Sequence, residues 1–114
     1  MSGNLSTHVL DTANGRPAAG LKIQLWRIES NERQLVKEAT TNQDGRTDSP
    51  LLAGDELKLG VYELVFQVGT YFLKTTEETF LGDVPVRFRI LNSEENYHVP
   101  LLVSPWSYTT YRGS

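Results

Sequence analysis

Apolar residues recur at every second position along most of this chain, in short runs separated by turn formers. Alternation with period two places successive side chains on opposite faces of a strand, and it cannot supply the apolar stripe of a helix. "LSTHVLD" (5–11) alternates and runs into the turn-rich "TANGRPAAG". "LKIQLWRI" (21–28) sets Leu21, Ile23 and Leu25 on one face against Lys22, Gln24 and Trp26. "RQLVKEATT" (33–41) closes at "NQDGR", and "PLLAGDEL" (50–57) has room for a short strand. "GVYELVFQV" (60–68) puts Tyr62, Leu64, Phe66 and Val68 on a single face, and "VPVRFRIL" (84–91) sets Val86, Phe88 and Ile90 against Arg87 and Arg89. "YHVPLLV" (97–103) and "WSYTTYR" (106–112) complete the pattern. One segment breaks it: "TTEETFLGDVP" (75–85) carries a capping box at Thr75 and Glu78, then Gly82 and Pro85, which predicts a helix of about two turns. About seven or eight strands with one short helix predict an all-β antiparallel sandwich.

With 114 residues the chain is one domain, 1–114, with a single core. A net charge of -3 and scattered basic residues exclude a nucleic-acid footprint. The absence of cysteine excludes disulfides and thiolate chemistry. No apolar run approaches the roughly 18 residues of a membrane span, so no membrane partner is expected. "MSGNLSTHVLD" lacks the basic start and apolar stretch of a secretory leader, which with the missing cysteines predicts a cytoplasmic location.

The chain has two histidines, His8 and His98, and both fall inside strands. Alternation turns Leu5, Thr7 and Val9 toward the core, and Ser6, His8 and Leu10 away from it. In the later strand Tyr97, Val99, Leu101 and Val103 face inward, and His98, Pro100 and Leu102 outward. An isolated outward histidine is most often a plain polar residue. Two of them, each beside an outward leucine, suggest an outer face covered by another subunit. Pro100 removes a ladder N–H, so a local break is expected there. Two imidazoles without cysteine do not make a zinc set, and no metal or organic cofactor is expected. Arg46 follows the Asp44-Gly45 turn, and Trp26 and Trp106 are assigned to packing. Ser107 and Ser114 lack a nucleophile elbow. By composition and spacing alone the reading stops at a small soluble β-sandwich of open function.

"LSTHVLDTANGRPAAGLKIQLWRI", the central "DGR" and the final "YHVPLLVSPWSYTTYRGS" together resemble the transthyretin-related proteins, from about Leu5 to Ser114. That group holds a thyroid-hormone carrier and enzymes, the 5-hydroxyisourate hydrolases of urate (purine) degradation. The enzymes are marked by a histidine in the first strand, another in the next-to-last, an arginine after Asp-Gly and a terminal Tyr-Arg-Gly-Ser. His8, Arg46, His98 and Tyr111-Arg112-Gly113-Ser114 match all of these marks. The resemblance implies a sandwich of two four-stranded sheets with one short helix, assembled as a homotetramer, a dimer of dimers. It also implies that the first strand lies beside the next-to-last, which lies beside the last.

The implied reaction is hydrolysis of 5-hydroxyisourate to 2-oxo-4-hydroxy-4-carboxy-5-ureidoimidazoline by His-assisted attack of water on a ring carbonyl. Such an attack needs a base for the water, a proton for the leaving nitrogen and a donor for the oxyanion. One of His8 and His98 takes the water's proton, with His98 preferred, and the other orients the water or protonates the leaving nitrogen. Arg46 and Arg112 bind the substrate's carbonyls, Tyr111 shapes the channel, and the hydroxyl or carboxylate of Ser114 joins the site. The alternatives are a carrier of small hydrophobic or aromatic ligands, as transthyretin is, and a β-sandwich interaction module.

Overall fold

The computed structural model describes residues 3–113. Strands β1 (Asn4–Asp11), β2 (Arg16–Pro17), β3 (Lys22–Glu29) and β4 (Glu32–Thr40) come first. β5 (Leu52–Ala53), a 3-10 turn (Gly54–Glu56), β6 (Gly60–Phe66) and helix α1 (Val68–Phe72) follow. β7 (Val84–Ile90), β8 (Tyr97–Val103) and β9 (Tyr108–Thr110) close the chain. One sheet has the order β2-β1-β8-β9, with the short β5 also pairing β1, and the other has the order β4-β3-β6-β7. The two sheets form the expected all-β sandwich, with β5 as an added strand. Every pairing is antiparallel except β1 with β8, which is parallel.

The alternation seen in the sequence is what fills the core. Leu5 and Val9 of β1, Ile23 and Leu25 of β3, Tyr62, Leu64 and Phe66 of β6, and Val99, Leu101 and Val103 of β8 are buried in one cluster. Buried aliphatic and aromatic side chains each contribute about 1.5–3 kcal/mol relative to exposure, so this shared face dominates stability. Trp26 lies on the outer side of β3, with the Arg33 guanidinium 4.3 Å from its ring centroid. Trp106 is 63% exposed and stacks on Phe80 instead of packing in the core, contrary to its expected role.

The helix is displaced from its expected place. It spans Val68–Phe72, and no helix forms over 75–85. Val68, Gly69 and Phe72 are buried, a helical spacing that the alternation of β6 conceals because Val68 also continues its period. Over 75–81 the hydroxyls compete with helix formation. Thr76 Oγ1 donates to the Phe72 carbonyl (3.0 Å), and Thr79 Oγ1 to that of Leu81 (2.9 Å). The backbone N–H groups of Phe80 and Leu81 both donate to the Pro105 carbonyl, which ties this segment to the turn before β9.

Asp11, at the end of β1, anchors α1. Its buried carboxylate accepts from the Asn14 backbone N–H (2.9 Å), the Asn14 amide (2.8 Å) and the Tyr71 hydroxyl (2.8 Å). Burial by itself raises this carboxyl, but the bonds from Asn14 and Tyr71 outweigh it and hold its pKa below the usual value. Burial and the bond to Asp11 push the Tyr71 phenol up to about 12. A lowered carboxylate pKa contributes stability that is present above the unfolded pKa of about 4 and is lost as pH falls through the folded value. Tyr71→Phe is therefore expected to cost about 1–2 kcal/mol in urea unfolding at neutral pH, with a smaller difference in acid.

Candidate active site

The site is built on the outer face of β1 and β8. Their parallel register sets Ser6 beside His98 and His8 beside Pro100. Leu5, Thr7 and Val9 are buried while Ser6, His8 and Leu10 are half-buried, so the outward parity of His8 stands, as does that of His98. One strand across and two residues along separates the two histidine backbones by about 8 Å on one face of the sheet.

His8 is oriented by a loop. Gly45 accepts from the Val9 N–H (2.8 Å) along the edge of β1, between the stretches that pair with β2 and β5. This brings the Asp44 carbonyl to 2.8 Å from His8 Nε2. A carbonyl only accepts, so Nε2 carries the proton and the neutral ring keeps its lone pair on Nδ1. Only glycine fits at position 45, because φ is +77° and a Cβ there would lie 2.3 Å from the Val9 carbonyl oxygen. Asn42 shapes the same loop: its side-chain oxygen accepts from the N–H groups of Asp44 (2.9 Å) and Arg46 (3.2 Å). Arg46 is exposed, and among the described residues no carboxylate pairs with it.

His98 is held from two sides. Ser6 Oγ lies 2.9 Å from its Nδ1. Gly113 donates its N–H to the His98 carbonyl (2.7 Å), and a Cβ at 113 would sit 2.7 Å from ring atom Cδ2. The expected break at Pro100 explains how the terminal segment reaches this place. The β8–β9 ladder runs from Val103↔Tyr108 to Leu101↔Thr110, lapses opposite Pro100, and resumes as a single bridge at His98↔Gly113. With no N–H at Pro100, its carbonyl takes the Thr110 hydroxyl instead (2.8 Å). The pKa of His98 lies below the usual histidine value, because burial foremost, then the charges of Arg46 and His8, disfavour its cation.

His8, Arg46 and His98 are thus brought together, whereas Arg112 is not. Its guanidinium pairs with Glu95 (2.8 Å), donates to the Asn96 carbonyl (3.0 Å) and stacks 4.3 Å over the inward-facing Tyr97 ring. Tyr111 is exposed and lines, with Arg112, Phe88 and Val99, a separate cleft of about 290 Å³ between β7 and the β8–β9 pair. Ser114 lies outside the described residues. Ser6 and Asn42 were given no site role by sequence reasoning, and Gly113 was named only as part of the terminal motif. The Asn-x-x-Gly spacing of a turn marks Asn42, and the cross-strand partner of an outward histidine marks Ser6.

The model of the HIUase/Transthyretin family matches residues 5–113. The chain belongs to that family. Within the HIUase/Transthyretin family it is 54% identical to the 5-hydroxyisourate hydrolase 2 of Rhizobium meliloti (strain 1021), over 99% of this chain and 98% of that protein. The structure of Klebsiella pneumoniae 5-hydroxyisourate hydrolase superposes with a TM-score of 0.84 at 30% identity, covering 98% of this chain and 94% of that one. Transthyretin from Sparus aurata superposes with a TM-score of 0.89 at 23% identity, covering 96% of each chain, a likeness of fold alone.

Replacing Arg46 with Gln removes one of the charges that disfavour the His98 cation. The His98 titration, followed by NMR, should therefore move to higher pH. Gly113→Ala should displace the His98 ring, seen as a change in its chemical shifts, while far-UV circular dichroism stays unchanged.

Proposed function

We propose that this protein hydrolyses 5-hydroxyisourate to 2-oxo-4-hydroxy-4-carboxy-5-ureidoimidazoline, a step of urate degradation. The observation that carries this reading is the meeting of His8, Arg46 and His98 on one outer sheet face in a chain about half identical, over its full length, to curated hydrolases of that substrate.

Water is a weak nucleophile at neutral pH, and the attack on the ring carbonyl needs a base that is uncharged there. The lowered pKa of His98 suits it to that task. His98 takes a proton as the water oxygen bonds to the carbonyl carbon, and then gives it to the ring nitrogen as the carbon–nitrogen bond breaks. His8, with Nε2 committed to the Asp44 carbonyl, offers Nδ1 to orient the same water. Arg46 faces the substrate's carbonyls and shares the negative charge that develops on oxygen. Ser114, which follows Gly113 in the chain, is assigned to the site for its hydroxyl or carboxylate, and Tyr111 shapes the neighbouring cleft. Arg112 joins only by leaving Glu95, or by acting from a neighbouring subunit.

The assembly is a homotetramer, a dimer of dimers. β7 and β9 are the outer strands of their sheets and border the same cleft, so both open edges can pair with a second copy. Leu10 and Leu102, register partners on the outer face, suit a contact between dimers around the site. No helix among the described residues is long and apolar enough to cross a membrane. The working location is the cytoplasm.

The ultraviolet decay of 5-hydroxyisourate, generated from urate by excess urate oxidase, tests the reading. The protein should accelerate it, and His8→Ala, Arg46→Ala and His98→Ala should each reduce kcat/KM by about 100-fold or more with the fold retained. An unchanged decay rate with folded wild-type protein would sink the hydrolase reading.

A further inference from the structure

Ser6 carries no role in the mechanism above, yet among the described residues it makes the one side-chain hydrogen bond to the His98 ring, 2.9 Å from Oγ to Nδ1. The bond follows from the parallel register, which sets Ser6 and His98 side by side on the outer face of β1 and β8. We infer that Ser6 is a positioning residue whose hydroxyl accepts the Nδ1 proton of His98, fixing the tautomer that leaves Nε2 bare as the water's base. This rests on the hydrolase reading and deepens it.

The argument runs through both protonation states of the ring. In the imidazolium, both nitrogens carry protons, so Ser6 Oγ can only accept from Nδ1. If Oγ already accepts in the neutral ring, the proton enters and leaves at Nε2 with no turn of the hydroxyl. In the other tautomer the hydroxyl donates to a bare Nδ1 and Nε2 carries the proton. His98 then has no lone pair for water, and every protonation would require the hydroxyl to rotate. A donor already in place costs no reorganisation during the reaction.

The surroundings pin the ring in this pose. Gly113 packs against the Cδ2 edge, closely enough that a methyl group there would clash. The Ser6 bond occupies Nδ1, so among the described residues Nε2 is the ring nitrogen without a partner. Two groups bear on His98 through their cationic forms, Arg46 from the 42–46 loop and His8 from β1. Arg112, on the terminal segment, is paired with Glu95 above the inward-facing Tyr97 ring. The two histidines then expose different nitrogens: His8 its Nδ1, because the Asp44 carbonyl holds Nε2–H, and His98 its Nε2. The sequence separates the two roles by giving one imidazole a carbonyl partner and the other a hydroxyl.

Nitrogen-15 NMR of the wild-type protein, with both imidazoles labelled, reads the tautomer directly and needs no substrate. At neutral pH His98 Nδ1 should have the shift of a protonated nitrogen and Nε2 that of a bare one; the reverse assignment would overturn the proposal. In the kinetic arm, Ser6→Ala should lower kcat roughly ten-fold with little change in KM. It should also move the acidic limb of the kcat profile to lower pH, because the imidazolium loses its acceptor. Ser6→Thr, which keeps a hydroxyl and suits a strand, should restore both. A Ser6→Ala enzyme with wild-type kcat and an unmoved limb would also overturn it. A wild-type protein that leaves 5-hydroxyisourate untouched would end the hydrolase reading while the tautomer measurement still stands on its own.

Discussion

The parallel pairing of β1 with β8 is the constraint on which the rest depends. Among the described residues it is the one parallel pairing in either sheet, and it joins the first strand to the next-to-last over seven register partners. Because side chains alternate, its register decides at once which residues enter the core and which form the outer face. A one-residue slip of β1 would bury His8 and expose Leu5 and Val9, and a slip of β8 would bury His98 and expose Val99 and Leu101. The apolar core therefore enforces the geometry of the polar site. The cost of exposing those buried side chains exceeds anything the imidazoles could gain by another arrangement.

Pro100 is the second hinge of the design. In a strand flanked on both sides it forfeits a ladder bond, and the ladder to β9 lapses opposite it. That lapse frees Tyr111 and Arg112 from regular pairing and lets Gly113 return to the His98 backbone. A residue that weakens the sheet thus builds one wall of the site. The glycines play a related part, since Gly45 and Gly113 stand where a side chain would push the Asp44 carbonyl or the His98 ring out of place.

Strand positions and facing were legible because period two is a local property of the sequence, and it identifies the inward residues of β1, β3, β6 and β8 directly. The outward parity of both histidines followed from the same rule. The helix was not legible at its true position. Its buried residues Val68, Gly69 and Phe72 follow straight on from a strand whose alternation absorbs Val68. The capping grammar at Thr75 and Glu78 lacks an apolar face to bury, and tertiary bonds to the Pro105 carbonyl claim that segment. Arg112 was placed near the histidines by its motif alone. Its pairing with Glu95 and stacking on Tyr97 depend on where the loop before β8 and the start of that strand come to rest, which local pattern does not encode.

The same sandwich superposes on a transthyretin at 23% identity, so the fold by itself does not select chemistry. The electrostatics of one sheet face do. A half-buried imidazole beside an arginine would ordinarily be a destabilising choice, since burial and a neighbouring cation both disfavour its charged form. For a base that must stay uncharged at neutral pH the same two effects are useful, and they act before any substrate binds. Under the proposed mechanism Arg46 has two effects: its charge adds to burial in disfavouring the His98 cation, and it offers donors where oxygen becomes negative. Separating the two requires a substitution that retains the charge and alters the fork, because a neutral replacement removes them together.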